Sequence, residues 1–140
     1  MMNQTCSQLS TKWSAHAPYF LAILRIVTAA MFMFIGTIKL FAFPVSMIPA
    51  GGTVDLFSLL GLAGVLEFLG GALLLVGLCT RPVAFILAGE MAVAYFLGHF
   101  SNGFWPMLNG GQPALLYCFI FLYLSAAGAG AWSLDRKIYK

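Results

Sequence analysis

Residues 56–78 read LFSLLGLAGVLEFLGGALLLVGL, a run of 23 residues in which Glu67 is the only charged side chain. A helix of about 20 apolar residues is long enough to cross the hydrocarbon core of a bilayer. Three further segments have a similar length and character, and they occupy residues 18–43, 82–100 and 113–132. The sequence therefore predicts an all-α integral membrane protein in which four helices form a bundle.

The composition of the whole chain agrees with a membrane fold. Of the 140 residues, 61% are hydrophobic and 8% are charged, and the mean hydropathy is +0.95. An average soluble domain has about 25% charged residues, so this chain has too few to cover a water-soluble surface. The same composition excludes a disordered chain and a nucleic-acid-binding protein with a broad basic face.

The distribution of Lys and Arg predicts the orientation of the bundle. The loops at 44–55 and 101–112 contain no Lys or Arg, whereas the opposite side of the bundle has five. The positive-inside rule places both termini in the cytoplasm. We expect a cytoplasmic tail at 1–17, the four-helix domain at 18–132 and a basic cytoplasmic tail at 133–140. The five basic residues are Lys12, Arg81, Arg136, Lys137 and Lys140.

A cleaved signal peptide is the alternative interpretation of residues 18–43. That run is too long for the apolar part of a signal peptide, Arg25 interrupts it, and no A-x-A cleavage site follows. The first helix of the bundle is the interpretation we adopt. Its Pro18 is expected in the first helical turn, as are the prolines that open the third and fourth segments.

The cysteines do not indicate a disulfide framework. Cys6, Cys79 and Cys118 form no CxxC pair, and Cys79 and Cys118 lie at different predicted depths. We therefore expect buried thiols in a reducing compartment.

Four ionisable side chains fall within the predicted spans, where a charge at the helix centre costs about 2.5–3.5 kcal/mol. Arg25, Glu67 and Glu90 lie about 10–16 Å from the inner ends of their helices, so we expect them to pair in the inner half of the bundle. Lys39 lies about 21 Å farther along the first helix, close to the outer interface, where its side chain can snorkel. We also expect Lys39 to be a ligand-binding residue.

Glycines surround Glu67 on its own face of the helix. Gly64, Gly70 and Gly71 lie three residues before, three after and four after this glutamate. Small residues at this spacing let a neighbouring helix approach closely. The pattern predicts that Glu67 lies at a tight contact between helices.

Two interpretations of Arg25, Glu67 and Glu90 stay open. Buried polar groups can fix helix packing without doing any chemistry. Alternatively they form a proton- or ligand-handling site, because ionisable residues inside a membrane often mark such sites. No Cys, His and carboxylate cluster shares one depth, so we expect no metal site. His16 and His99 lie on opposite sides of the membrane, so they do not share a haem.

The outer loop 101–112 is rich in turn-forming and aromatic residues. One interpretation is a loop that anchors the protein at the interface, where Trp is common. The other is a lid over an outer ligand-binding pocket lined by His99, Trp105 and Asn109. On a straight helix His99 points to the side opposite Glu90, because the two are nine residues apart.

Short motifs follow one another in a characteristic order along nearly the whole chain. They are 24–25 (LR), 36–41 (GTIKLF), 67–74 (EFLGGALL), 77–84 (GLCTRPVA), 90–94 (EMAVA), 104–111 (FWPMLNGG) and 130–135 (GAWSLD). Their order and spacing resemble the DoxX family of small bacterial inner-membrane proteins. One departure is Gln112, where a glutamate often follows the paired glycines.

The resemblance implies a four-helix bundle in a bacterial inner membrane and an association with quinone-linked redox chemistry. Arg25, Glu67 and Glu90 would then supply polar contacts and protons to an apolar pocket that a membrane quinone enters from the lipid. We expect no covalent cofactor. Electrons would come from a redox partner protein or a soluble reductant. The alternatives are a small-molecule binding or transport protein, which implies a homo-oligomer, and a non-catalytic assembly subunit.

Overall fold

The computed structural model describes residues 2–139, with side chains from residue 11 onward. Met1 and Lys140, which end the two predicted tails, lie outside the described residues, as does the side chain of Cys6. All regular structure in the described range is helical, which confirms the all-α prediction. The elements are α1 (Met2–Phe41), α2 (Leu59–Val65), a π-helical turn (Leu66–Gly70), α3 (Gly71–Val76), α4 (Thr80–Gly98), a 3-10 turn (Phe100–Asn102), α5 (Gln112–Ala127) and α6 (Leu134–Ile138).

Three helical segments are long and apolar enough to cross a membrane, namely Thr11–Phe41, Leu59–Val76 and Thr80–Asn102. The fourth helix, α5, has 16 residues and is therefore about 24 Å long. It ends five residues before the predicted boundary, because Gly128 and Gly130 adopt positive φ values of 88° and 71° and turn the chain. The membrane helical bundle is confirmed, while the orientation of the termini stays a prediction.

Helix α1 begins much earlier than the predicted first span. It runs for 40 residues, about 60 Å, and Pro18 lies inside it. The prediction that Pro18 occupies the first helical turn is therefore wrong. Residues 2–17 contain no Gly or Pro, so nothing in that stretch ends the helix before Pro18. The Pro18 carbonyl accepts a hydrogen bond from the Ala131 N–H at 2.9 Å, which ties the segment after α5 to α1.

Helix α1 packs against α2, the π-helical turn and α3 through glycines. A Cβ atom on Gly36 would lie 2.6 Å from the Phe68 backbone nitrogen, and one on Gly71 would lie 2.8 Å from Cβ of Met33. Gly70 faces a leucine of α4 on the other side. The predicted close approach of helices around Glu67 is confirmed, with α4 packing in turn against α5.

The Arg25 side chain is fully buried, and it joins α1 to two other parts of one end of the bundle. We call this the inner end, and the opposite end the outer end, after the orientation that the positive-inside rule predicts. Its Nη1 donates hydrogen bonds to the carbonyls of Leu74 and Leu75, at the end of α3. Its Nε donates to the Ala129 carbonyl at 2.9 Å, and its Nη2 donates to the Trp132 carbonyl at 3.0 Å. The guanidinium therefore donates to carbonyls at a helix end and in a loop, where the regular ladder of α-helical hydrogen bonds is interrupted.

This arrangement shows that the predicted pairing of Arg25 with Glu67 and Glu90 is wrong. Backbone carbonyls already surround the guanidinium at its depth, because α3 ends there and the chain after α5 folds inward. A planar group with five N–H donors suits several carbonyl oxygens as well as it suits a carboxylate.

The turn between α3 and α4 places Cys79 at the surface. Its backbone has a φ of 51°, and its N–H donates to Asp135 Oδ1 at 2.7 Å. The Cys79 side chain is exposed, so the prediction of a buried thiol is wrong there. The tight turn directs this side chain outward. Cys118 is buried, as expected.

We predict that Gly77→Ala destabilises the protein by more than about 1 kcal/mol, because a positive φ and an overpacked site both oppose an added methyl group. Gly77 has a φ of 70°, and a Cβ atom there would lie 2.6 Å from Ser133 Cβ and 3.0 Å from Arg25 Cζ. Thermal unfolding in detergent measures the effect. Gly89→Ala is the matched control, since nothing lies within 4 Å of its added Cβ. An equal melting temperature for the two variants would contradict the packing around Arg25.

Candidate functional site

A cavity of about 550 Å³ lies between α2 with the π-helical turn on one side and α4 on the other. Most of its wall is apolar, and its polar lining consists of the side chains of Lys39, Glu67, Glu90 and His99. The apolar wall is formed by Met47, Leu59, Leu60, Leu62, Ala63, Leu66, Ile86, Met91, Val93, Ala94, Leu97 and Gly98.

Lys39 and Glu67 form a buried ion pair across the contact between α1 and the π-helical turn. Lys39 Nζ lies 2.6 Å from Glu67 Oε1, and the two residues are 8% and 2% exposed. A Cβ atom on Gly64 would lie 3.1 Å from Lys39 Cβ, so the glycine leaves room for the lysine stem. This part of the cavity wall therefore contains two charged groups whose charges cancel.

The position of Lys39 corrects the prediction that its side chain snorkels to the outer interface. Side chains on a helix lean toward the helix N-terminus. Because α1 and α2 run in opposite directions, Lys39 leans inward along the bundle and Glu67 leans outward, so their charged ends meet between the two Cα depths. Depth along the helix axes, taken from Cα positions alone, therefore places the charged groups of Lys39 and Glu67 farther apart than they lie.

The π-helical turn shapes the surroundings of Glu67. It covers Leu66–Gly70, so the glutamate lies one residue into the turn. Such turns are rare inside α-helices and occur often at functional sites. Glu67 Oε2 is buried and accepts no hydrogen bond within the described chain. One oxygen of this carboxylate is thus held by Lys39 and the other is left for a further partner.

Glu90 faces the cavity from α4. Both of its carboxyl oxygens are buried, and neither has a hydrogen-bond partner among the described residues. Buried polar atoms in proteins nearly always have partners, because an unpaired group loses its hydration without compensation. Glu90 is therefore the clearest place in the cavity for a ligand or a water molecule to bind.

His99 lies at the outer end of the same cavity. It follows the last residue of α4 and has a φ of −122°, so its side chain no longer follows the helical direction. For this reason the prediction that His99 and Glu90 face opposite sides is wrong, and both line one cavity. His99 Nδ1 lies 3.2 Å from the Asn109 carbonyl oxygen. A carbonyl only accepts, so this contact favours the tautomer with the proton on Nδ1.

The other two residues of the predicted outer pocket are not part of the cavity wall. Asn109 is buried and organises its own loop, since its Nδ2 donates to the Gly103 carbonyl at 2.7 Å and its Oδ1 accepts from Gly111 N–H at 2.8 Å. Trp105 is 65% exposed and packs edge-on against Phe104. The structure thus brings His99 and Asn109 together through the backbone and leaves Trp105 at the surface, a position typical of an interface anchor.

Among residues 11–139, whose side chains the structure describes, no three His, Cys, Asp or Glu side chains are grouped as metal ligands. The polar groups of the cavity suit an organic ligand with its own hydrogen-bonding atoms. Sequence reasoning did not identify which residues of α2 and α4 form the apolar wall, for example Ala63 and Ala94. Ala63 lies four residues before Glu67 and Ala94 four residues after Glu90, and this helical spacing was the available signal.

The apolar helices, the buried charges and the cavity between spans define an integral membrane protein. The DoxX family model matches residues 20–100, more than half of the chain. The chain belongs to the DoxX family. The matched range contains Arg25, Lys39, Glu67, Glu90 and His99.

Two similar proteins are described only as uncharacterized. One, from Haemophilus influenzae, is 52% identical over 128 residues, which cover 89% of this chain and 95% of that protein. The other is an uncharacterized membrane protein of Mycobacterium tuberculosis, 36% identical over 89 residues, which cover 56% of this chain and 55% of that protein. No solved structure matches the chain significantly.

We predict that Glu67→Gln lowers the stability of the protein by about 3–5 kcal/mol, because it leaves the buried Lys39 ammonium without a charged partner. Glu90→Gln is the matched control. It makes the same chemical change in the same cavity but breaks no hydrogen bond within the described chain, so we expect little change. Melting temperature and detergent-extracted yield measure both effects.

A double variant, Lys39→Met with Glu67→Met, replaces both members of the pair. We expect it to recover most of the stability that Glu67→Gln loses. A double variant less stable than Glu67→Gln would contradict the ion-pair assignment.

Proposed function

We propose that this protein is the quinone-binding membrane component of a quinone-linked oxidoreductase system in a bacterial inner membrane. The observation that carries the proposal is the pair of buried, unpartnered Glu90 oxygens in the wall of an apolar cavity of about 550 Å³. Cavities that bind small molecules have this size and this mixture of an apolar wall with a few polar groups.

The chemistry of a quinone matches the cavity in both redox states. The ring and an isoprenoid tail are apolar, and they suit the leucines and methionines of the wall. The two carbonyls of a quinone accept hydrogen bonds, for which the Lys39 ammonium is a donor. The two hydroxyls of a quinol donate, for which the oxygens of Glu67 and Glu90 are acceptors.

The surface of the cavity supports entry from the lipid. Several residues of its wall are also more than half exposed on the outside of α2 and α4, where they face the membrane interior. A lipid-dissolved ligand therefore meets apolar side chains along its whole path. These residues are Leu59, Leu60, Leu62, Ile86, Val93 and Leu97.

Reduction of a quinone to a quinol takes up two electrons and two protons. The carboxyl groups of Glu67 and Glu90 and the His99 ring are groups of the type that accept or donate protons at such a site. We propose that the electrons come from a partner redox protein, and that Arg25 acts indirectly by holding the helices in place. A homo-oligomer belongs to the transport alternative, because four spans are few for a transporter.

Two other functions would use the same features of the structure, and experiment distinguishes them from quinone binding. A binding or transport protein for a small apolar or weakly acidic molecule would use the same cavity. A non-catalytic assembly subunit is favoured by one specific observation, that Arg25 and the Lys39–Glu67 pair both link helices.

The test is native mass spectrometry of the gently solubilised protein, followed by titration with a short-chain ubiquinone and a short-chain menaquinone. We expect about one quinone per chain. Glu90→Gln should weaken binding by about tenfold or more, since hydrogen bonds to charged groups contribute about 1.5–3 kcal/mol. Ala94→Phe should abolish binding by filling the cavity, whereas Leu116→Phe, on the exposed face of α5, should not.

The outcomes discriminate between the three functions. Equal quinone binding by the parent, Glu90→Gln and Ala94→Phe would contradict the site. Binding of other apolar acids with the same dependence on Glu90 would favour the transport function. A stable protein that co-purifies with no ligand and binds neither quinone would favour the assembly subunit.

A further inference from the structure

A second pocket lies at the other end of the bundle, where α4 begins and α5 ends, and its volume is about 500 Å³. It is bounded by the turn before α4, the segment after α5, and α6. Unlike the cavity described above, it contains two arginines at a helix-to-loop boundary. Its lining consists of Cys79, Thr80, Arg81, Pro82, Ala127, Gly128, Ala129, Gly130, Ser133, Asp135, Arg136 and Tyr139.

The Arg81 guanidinium is held in place on one edge and free on the other. Its Nη1 donates to the carbonyls of Ser125 and Ala126 at the end of α5. Its Nε and Nη2 donate no hydrogen bond within the described chain. The Nε–Nη2 edge presents parallel N–H groups that match two oxygens of a phosphate or a carboxylate. Arg81 is thus oriented for an anion that the chain itself does not supply.

Gly128 keeps this free edge accessible. A Cβ atom at Gly128 would lie 3.3 Å from Arg81 Nη2 and 3.4 Å from Nε. Any side chain there would press against the two nitrogens with unused donors. The absence of a side chain leaves the space beside the fork for a ligand.

The acidic residue of the pocket is already engaged. Asp135 Oδ1 and Oδ2 accept hydrogen bonds from the backbone N–H groups of Cys79 and Thr80, at 2.7 and 2.9 Å. Partial burial opposes ionisation of Asp135, but these hydrogen bonds and the charge of Arg25 together lower its pKa below the ordinary value. Its negative charge is therefore balanced from inside the protein and does not neutralise the two arginines that line the pocket.

Arg136 adds a second unpaired cation. Its side chain makes no hydrogen bond within the described chain, while its backbone N–H donates to Ser133 Oγ as α6 begins. Trp132 is 62% exposed and packs edge-on against Tyr19 near this end of the bundle, and aromatic residues of this kind mark the level of the membrane interface. The pocket thus lies at the depth of lipid headgroups, on the side that the distribution of basic residues predicts to be cytoplasmic.

We infer that this end pocket binds a phosphate-bearing anion through the Arg81 fork and Arg136. Basic pockets at the cytoplasmic ends of membrane helices bind the headgroups of anionic lipids in this way. Phosphate oxygens come from two sources at this depth, the headgroup of an anionic phospholipid and a soluble phosphate compound. Both use the same contacts, and experiment separates them.

The test uses the delipidated full chain in detergent and native mass spectrometry with added phosphatidylglycerol or phosphatidylcholine. We expect preferential binding of phosphatidylglycerol, weakened about fivefold by Arg136→Gln, the loss that one basic residue near a membrane surface produces. Lys137→Gln is the matched control. It removes the same charge from the same short helix but does not line the pocket, so we expect less than a twofold change. Arg81→Lys keeps the charge and removes the fork, and it should also weaken binding about fivefold.

Titration with inorganic phosphate and glycerol 3-phosphate identifies the source. Binding of either compound with the same dependence on Arg136 would assign the pocket to a soluble phosphate compound, and its absence alongside phosphatidylglycerol binding would assign it to lipid. Two results would overturn the inference. The first is that Arg136→Gln and Lys137→Gln weaken phosphatidylglycerol binding equally, because this would indicate a diffuse attraction between basic residues and lipid rather than a pocket. The second is that the protein shows no preference for phosphatidylglycerol and does not bind phosphate. The comparison of Arg136 with Lys137 holds even if Arg81 variants fold poorly, because neither side chain makes a hydrogen bond within the described chain.

Discussion

The hydrogen bonds of the Arg25 guanidinium hold together the inner end of this bundle. A charge buried in a membrane protein is costly unless polar groups of the protein surround it. Arg25 meets that requirement with four backbone carbonyls from two separate segments, the end of α3 and the chain after α5. Because these segments close over α1, the turn into α4 and the start of α6 are brought side by side. The Asp135 contacts to the α4 N-terminus, and the pocket beside them, depend on that closure.

In the outer half of the bundle, buried charge is compensated by an ion pair and not by backbone carbonyls. Lys39 and Glu67 satisfy each other across the α1 contact, and the glycines around them bring the backbones close enough for this to happen. The pairing is incomplete, because one Glu67 oxygen and both Glu90 oxygens have no partner within the described chain. The buried guanidinium of Arg25 is thus satisfied by backbone carbonyls, whereas the outer cavity keeps unused polar atoms in an apolar wall. This difference is why we assign the proposed quinone chemistry to the outer cavity and a structural role to Arg25.

Much of the fold was predictable from the sequence, since the length of the apolar runs and the positions of their glycines specify helices and close contacts locally. The pairing of charges was not predictable, because it depends on where helices end and on the direction in which side chains lean. Arg25 was expected to need a carboxylate, yet the end of α3 offers carbonyls at the same depth. Lys39 was placed too far from Glu67 because Cα depth ignores the length and tilt of two side chains on antiparallel helices. The direction of the His99 side chain was predicted wrongly from helical spacing because α4 ends one residue before it.

The Lys39–Glu67 pair also determines how the site responds to the voltage across an energised membrane. A single charge carried across the bilayer exchanges about 2.3 kcal/mol with the field for each 100 mV. Two opposite charges held 2.6 Å apart experience nearly equal and opposite forces, so the net electrical force on the pair is small. The wall that the pair forms should therefore keep its shape as the cell charges and discharges its membrane. Within this wall the net electrical force acts on the charge of an ionised Glu90 and on charge that a ligand or a proton brings in, and very little on the ion pair as a unit.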